Sequence, residues 1–275
     1  MAHARTARAR RYLMCEPRHF TVAYSINPWM SQHVPVDGER AVAQWRRLVD
    51  AYRGLGHTVE TAEPAPGLPD MVFAANCAVT LGGRALVSRF HAEQRRPESA
   101  EYELWFKRAG FDIRRASAVC EGEGDLTPVG EVILAGHGFR TDPRAHREAE
   151  EYLGRPVVSL RLVDPLFYHL DVALFALDDR PGSANVAYYP GAFAPESREV
   201  LRRAFPDAVL ASRDDALAFG LNSVSDGRHV LIAPQADRLA ARLADQGYEP
   251  VPVDVSELHK SGGGIKCCTQ EVRTV

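Results

Sequence analysis

Ser261-Gly-Gly-Gly-Ile-Lys-Cys-Cys-Thr-Gln-Glu271 sets three glycines ahead of two adjacent thiols. Two readings compete for this stretch. It is either a buried edge strand whose cysteines act as small hydrophobes, or a glycine turn that presents a reactive thiol. A thiol serves as a nucleophile only with a base, acid or charge beside it, so the choice depends on what the rest of the chain brings. Working backwards, Cys267 follows Asn222 by 45 residues, and Asn222 is preceded at intervals of 51, 46, 49 and 49 by Asp171, Asp125, Asn76 and Asn27.

That spacing matches a repeat. Amphipathic helices are expected over 39–55, 98–110, 143–154, 195–205 and 236–247. The first carries Ala41, Trp45, Leu48, Val49 and Tyr52 on one face, which is the 3.6-residue period of a helix against a core. The third has Asp142 before Pro143, a helix-start signal. A short β-like run follows each helix, and pairs of apolar runs divided by turn residues such as Gly82-Gly83 and Asp226-Gly227 lie between the units. The unit is strand, strand, helix, strand, used about five times, and such periods signal a solenoid, a propeller or a closed ring. In a closed ring the polar residues heading the units converge on one axis and form a site.

Composition narrows the function classes. At 45% apolar and 25% charged, the chain has ample material for a large core. No linker interrupts it, so residues 11–275 are expected to be a single catalytic domain after a disordered basic start at 1–10 carrying Arg5, Arg8 and Arg10. A net charge of −3 gives no footprint for nucleic acid or an anionic membrane, and no apolar run reaches the roughly 18–20 residues of a membrane span. Five scattered cysteines without a CxxC pair argue against a disulfide framework and a zinc site, and for a reducing cytoplasm. The expected partner is a small molecule; the oligomeric state stays open between monomer and homo-oligomer.

His169 is the best partner for the thiol, two residues before Asp171 in Tyr-His-Leu-Asp, since residues i and i+2 of an extended segment share a face. Glu121-Gly-Glu-Gly-Asp125 places Glu121 and Asp125 among glycines, where backbone can approach a ligand. Paired carboxylate oxygens match a guanidinium fork, with a metal as the other option. The free-nucleophile reading is preferred because no helix carries a ligand pair at i, i+4, so neither metal nor cofactor is expected. Gly136-His-Gly-Phe-Arg140 and Ser88-Arg-Phe90 add Arg140 and Arg89 as a carboxylate clamp.

These stretches, with Cys15-Glu-Pro17, Ile26-Asn-Pro-Trp-Met30, Val72-Phe-Ala-Ala-Asn76 and Phe219-Gly-Leu-Asn222, resemble the guanidino-group-modifying (amidinotransferase) superfamily of the pentein fold. That resemblance implies an α/β propeller of five ββαβ units around a pseudo-fivefold axis. It implies Cys267 as nucleophile and His169 as acid/base. Asn27, Asn76, Glu121, Asp125, Asp171 and Asn222 become the substrate-binding set, with Asp125 and Asp171 on the guanidinium and Arg140 and Arg89 on the α-carboxylate. Residues 26–30 and 73–76 look most like the bacterial arginine dihydrolases, which turn arginine into ornithine, ammonia and carbon dioxide. Asn76 stands where dimethylarginine hydrolases commonly have Asp, and Ala75 where they tend to have Glu; Cys77 departs from the dihydrolase pattern. The alternatives are dimethylarginine hydrolysis, amidino transfer and non-catalytic binding of arginine-like ligands. Cys268 is expected to face the core, the glycines before it to leave room for substrate, and residues 27–38 to form a lid.

Overall fold

Gly82 and Gly83 show how each unit is built. Both take positive φ, 56° and 73°, the left-handed backbone a two-residue hairpin turn demands and glycine adopts without steric cost. They join β3 (Ala78–Leu81) to β4 (Arg84–Val87), after which α2 (Glu98–Arg108) returns the chain to β5 (Asp112–Arg115). β4 pairs antiparallel with β3 and parallel with β5, so one hairpin and one helical crossover make a three-stranded sheet.

The computed structural model describes residues 5–274 and repeats this arrangement. The first unit holds β1 (Arg11–Cys15), α1 (Gly38–Gly54) and β2 (Thr58–Ala62). The third holds β6 (Leu126–Val129), β7 (Val132–His137), α3 (Pro143–Leu153) and β8 (Val157–Arg161). The fourth holds β9 (Leu174–Asp178), β10 (Asn185–Tyr188), α4 (Pro195–Ala204) and β11 (Val209–Leu210), with a short α5 (Arg213–Leu217) after it. The fifth holds β12 (Val224–Ser225), β13 (His229–Ile232), α6 (Asp237–Asp245), β14 (Glu249–Pro252) and a one-turn α7 (Ser256–His259). The last strand, β15 (Gln270–Glu271), crosses back to pair antiparallel with β1. Five sheets of three strands result, and the first is completed only by the end of the chain. This is the expected pentein α/β propeller.

Local chemistry explains the agreement. The Asp37 side chain accepts the Arg40 N–H at the start of α1, whose Ala41, Trp45, Leu48, Val49 and Tyr52 are buried. Asp142 caps α3 in the same way, and Gly154 ends it at φ 69°. The five expected helices differ from the observed ones by a residue or two at their ends. α5 escaped the periodicity because one turn has no period to read, although Ser212 and Asp215 form its capping box. Residues 5–10, expected to be disordered, have no regular structure, yet the Arg8 N–H donates to the Asp226 carbonyl and the Arg10 guanidinium pairs with Asp179 and Glu271. Residues 1–4 of that stretch lie outside the described residues.

The register of polar residues needs one correction. Asn76, Asp125, Asp171 and Asn222 do head the four hairpins and Cys267 leads into β15, but in tight turns rather than at extended strand ends: Ala74–Cys77, Gly122–Gly124 and Leu170–Val172 are 3₁₀ turns. Asn27 heads no strand. It lies in the irregular stretch between β1 and α1, and its even spacing from Asn76 is incidental.

Candidate active site

Cys267 is held from three sides. Its N–H donates to Asn222 Oδ1 at 3.1 Å, and its carbonyl accepts the Ala75 N–H at 3.0 Å. Its thiol faces two polar groups: Asn222 Nδ2 donates to Sγ at 3.1 Å, and the S–H donates to Asp171 Oδ2 at 3.2 Å. The turn that carries it exists because of the glycines. A Cβ on Gly263 would stand 2.3 Å from the Phe73 ring, and one on Gly264 2.9 Å from Asn222 Oδ1. Gly262 has φ 81°, with Asn27 Oδ1 2.7 Å from where a Cβ would sit. The glycines therefore admit neighbouring protein groups, and Gly263 also faces the cavity beside Cys267.

His169 stands between two carboxylates. Nδ1 is 3.0 Å from Asp125 Oδ2, and Nε2 is 3.0 Å from Glu121 Oε2. Both ring nitrogens can then donate only if the imidazole is protonated. Burial works against that charge, but Asp125 and Glu121 outweigh it, and the pKa rises to about 9. Glu121 is itself buried, yet Arg140 and His169 hold its carboxyl well below the usual range. Burial pushes the Cys267 thiol well up, with the Asp171 charge adding to it. Asp171 is likewise raised by burial, to about 6.

Cys267 and His169 line one cavity of about 260 Å³ together with Ile26, Asn27, Asp70, Phe73, Asn76, Arg95, Arg140, Tyr168, Ser261 and Gly263. It is tightly closed, with Cys267 only 3% exposed. Arg140 donates to Glu121 and to the Ile26 carbonyl, the latter at 2.7 Å. Arg95 forks onto Glu98 at 2.8 and 3.0 Å and donates to Asn76 Oδ1 at 3.0 Å. Asp70 accepts from Tyr24 Oη at 2.8 Å and Ser261 Oγ at 3.2 Å, and burial raises its pKa against the pull of Arg95.

A scan against models of protein families returns no match. Comparison with curated proteins is decisive. The chain is 51% identical over 268 residues to an N(G),N(G)-dimethylarginine dimethylaminohydrolase of Mycobacterium tuberculosis, covering 98% of this chain and 87% of that protein. It belongs to the guanidino-group-modifying hydrolases. A second member, the bifunctional arginine dihydrolase/ornithine cyclodeaminase ArgZ of Synechocystis sp., is 34% identical over 95% of this chain, which spans 37% of ArgZ. The crystal structure of the ArgZ N-terminal domain bound to substrate superposes with a TM-score of 0.90 at 33% identity, covering 96% of this chain and 98% of that one. As in that family, the protein acts on guanidino C–N bonds.

For a guanidino-modifying hydrolase, the expected residues fall into three groups. Cys267, His169, Asn27, Asn76 and Arg140 share the cavity. Glu121, Asp125, Asp171 and Asn222 are buried just outside it. Asp125 Oδ1 accepts the Leu170 N–H and Oδ2 meets His169 and the Thr141 hydroxyl, so most of its acceptor capacity is engaged within the protein. Both ends of the Asn222 amide are likewise spent on Cys267 and the Asp171 carbonyl, so it positions the thiol rather than binding substrate. Arg89 is absent from the site: exposed, it donates to the Ser117 carbonyl. The second cavity arginine is Arg95, whose guanidinium lies 4.6 Å over the Phe90 ring; the aromatic neighbour was legible, but it serves the arginine six residues on. Asp70, Tyr168 and Ser261 were also missed, although Tyr168 precedes His169 directly. Cys268 packs in an apolar cluster, as expected.

Proposed function

We propose that this protein hydrolyses the guanidino group of free L-arginine to ornithine, ammonia and carbon dioxide. One observation carries the reading: the polar groups facing the cavity beside Cys267 and His169 include two amides, Asn27 and Asn76. A carboxylate would favour only the cationic guanidinium, whereas an amide serves equally a neutral ureido group, which a second round of hydrolysis must bind. The substrate carboxylate is placed toward Arg95 and Arg140.

The chemistry follows from the charges. Cys267 thiolate adds to the guanidinium carbon, and protonated His169 gives its proton to the departing amine. Water then attacks the amidino–cysteine, His169 takes back a proton, and the ureido product meets the same thiol for a second cycle. No metal or cofactor enters this scheme. Residues 27–38, which contribute Asn27 to the cavity, act as the lid.

The second reading is dimethylarginine hydrolysis to citrulline and dimethylamine, favoured by the 51% identity to the M. tuberculosis protein of that name. Mass spectrometry of products from arginine, dimethylarginine, and arginine with glycine separates these readings from amidino transfer and from mere binding. Ornithine from arginine supports the first. Citrulline only, from the methylated substrate only, replaces it with the second.

A further inference from the structure

A second, narrow chamber shares none of the residues that line the catalytic cavity. Asp171 borders it, and so do Tyr12, Thr127, Arg10, Glu271 and Arg273. Arg10, Glu271 and Arg273 also line a broader cleft that shares no residue with the catalytic cavity, so the chamber leads away from the substrate side. Its polar groups are under-used. Asp171 Oδ1, Tyr12 Oη, Arg10 Nε and Arg273 Nε are all buried without a protein hydrogen-bond partner. Four orphaned polar atoms around one space, also lined by Leu174, Phe175, Leu177 and Val224, describe a site for ordered water, since buried polar groups are otherwise almost always satisfied.

Proton bookkeeping gives this space a role. Attack by Cys267 requires the thiol proton to leave, and His169 already carries protons on both nitrogens, each facing a carboxylate. The acceptor in contact with the thiol is Asp171, at 3.2 Å through Oδ2.

We propose that Asp171 is the base that deprotonates Cys267, and that water held in the second chamber, hydrogen-bonded to Asp171 Oδ1, keeps that carboxylate able to accept. The proposal rests on Cys267 being the nucleophile. The steps balance: the S–H bond breaks as an O–H bond forms on Asp171, and the sulfur pair makes the C–S bond. The C–N bond breaks with its pair protonated by His169. Water later returns a proton to His169 as the C–S bond breaks, and the thiolate recovers its own proton from Asp171. A substrate filling the catalytic cavity cuts Asp171 off from solvent on that side, which leaves the chamber as its source of hydration. The charged groups around Asp171 are His169 on its own turn, Asp125 from the neighbouring turn and Lys266 beside the thiol. Deeper in the chamber, Arg10 and Arg273 pair with Glu271.

The first test compares turnover with thiol reactivity. Asp171→Asn should lower kcat for arginine by on the order of 10²-fold with KM little changed, while alkylation of Cys267 by iodoacetamide does not slow, because removing the carboxylate lowers the thiol's pKa; an unchanged kcat, or a loss carried in KM alone, overturns the base assignment. If Cys267→Ser is labelled by iodoacetamide as fast as the wild type, the reactive thiol is not Cys267 and the nucleophile reading itself fails, a separate outcome. The second test empties the chamber of hydroxyls without touching the catalytic cavity. Tyr12→Phe and Thr127→Val should move the acidic limb of the kcat/KM profile upward by about 0.5–1 pH unit while the plateau KM stays put. Acidic limbs unmoved in both variants refute the hydration role.

Discussion

The turns that head the five sheets and the irregular stretch 16–37 both reach the cavity, but they are built on different terms. Each turn is locked to its neighbours: Ala75 N–H to the Cys267 carbonyl, Asn222 to Cys267 and Asp171, Leu170 N–H to Asp125. Their side chains are almost wholly buried. The loop has fewer anchors, chiefly Trp29 Nε1 to the Leu166 carbonyl, Arg140 to the Ile26 carbonyl, and Asn27 Nδ2 to the Ser261 carbonyl at 3.0 Å. The ring thus fixes the reaction chemistry, whereas the loop can be altered with little strain on the fold and is suited to setting which guanidino compound is accepted.

The largest expected effect is on the ring side. Cys267→Ser should reduce turnover on the order of 10⁴-fold or more, measured by ornithine release, and full activity would end the nucleophile assignment. His169→Gln should cost about 10²–10⁴-fold, with KM changed far less than kcat if the ring acts on the departing amine rather than on binding.

The next pair sets turn against loop directly. Asn27→Asp and Asn76→Asp should both let citrulline accumulate from arginine, because a carboxylate disfavours the neutral second-round substrate; ornithine as the sole product in either would sink the argument. The two should differ in stability. Asn76 Nδ2 donates to the buried Glu121 carbonyl and its Oδ1 accepts from Arg95, so Asp there loses a donor at a buried acceptor and should cost about 1–3 kcal/mol. Asn27 is half-buried, and thermal unfolding should register a smaller loss.

Two pH limbs come next. A His169 pKa near 9 means that the acid form persists across neutral pH and disappears as pH rises through about 9, so kcat/KM should fall there. Asp171, raised to about 6, is ionised above that value, so activity should climb as pH rises through about 6. A profile flat between pH 5 and 10 would contradict both. The smallest effect belongs to the neighbour of the nucleophile: Cys268→Ala should lower stability by about 1–2 kcal/mol and leave kcat in place, as read from urea unfolding and steady-state rates.

How much of this was legible depended on whether a residue's role repeats. The helices, the hairpins and the five turn residues recur every 45–51 residues, and physical periodicity is what sequence patterns carry best. Cys267 and His169 followed from that register. The partners that hold Asp125 and Asn222 did not, because how far a carboxylate or amide is engaged depends on contacts from distant parts of the chain, such as Thr141 or Asp171. Arg95 had no local mark at all; its buried position comes from Glu98 three residues on and from Asn76 in the preceding turn. Asn27 was found through a spacing that the fold does not use.

The pairing of Gln270–Glu271 with Tyr12–Leu13 has a temporal meaning as well. During synthesis, four units and most of the acidic framework can assemble while the sulfur is still unmade. Seating the thiol and joining the first sheet to the last strand are then one event, so a partly built chain is inert by construction. Closing the ring also buries the sulfur, so the same step ends its exposure to alkylation and oxidation.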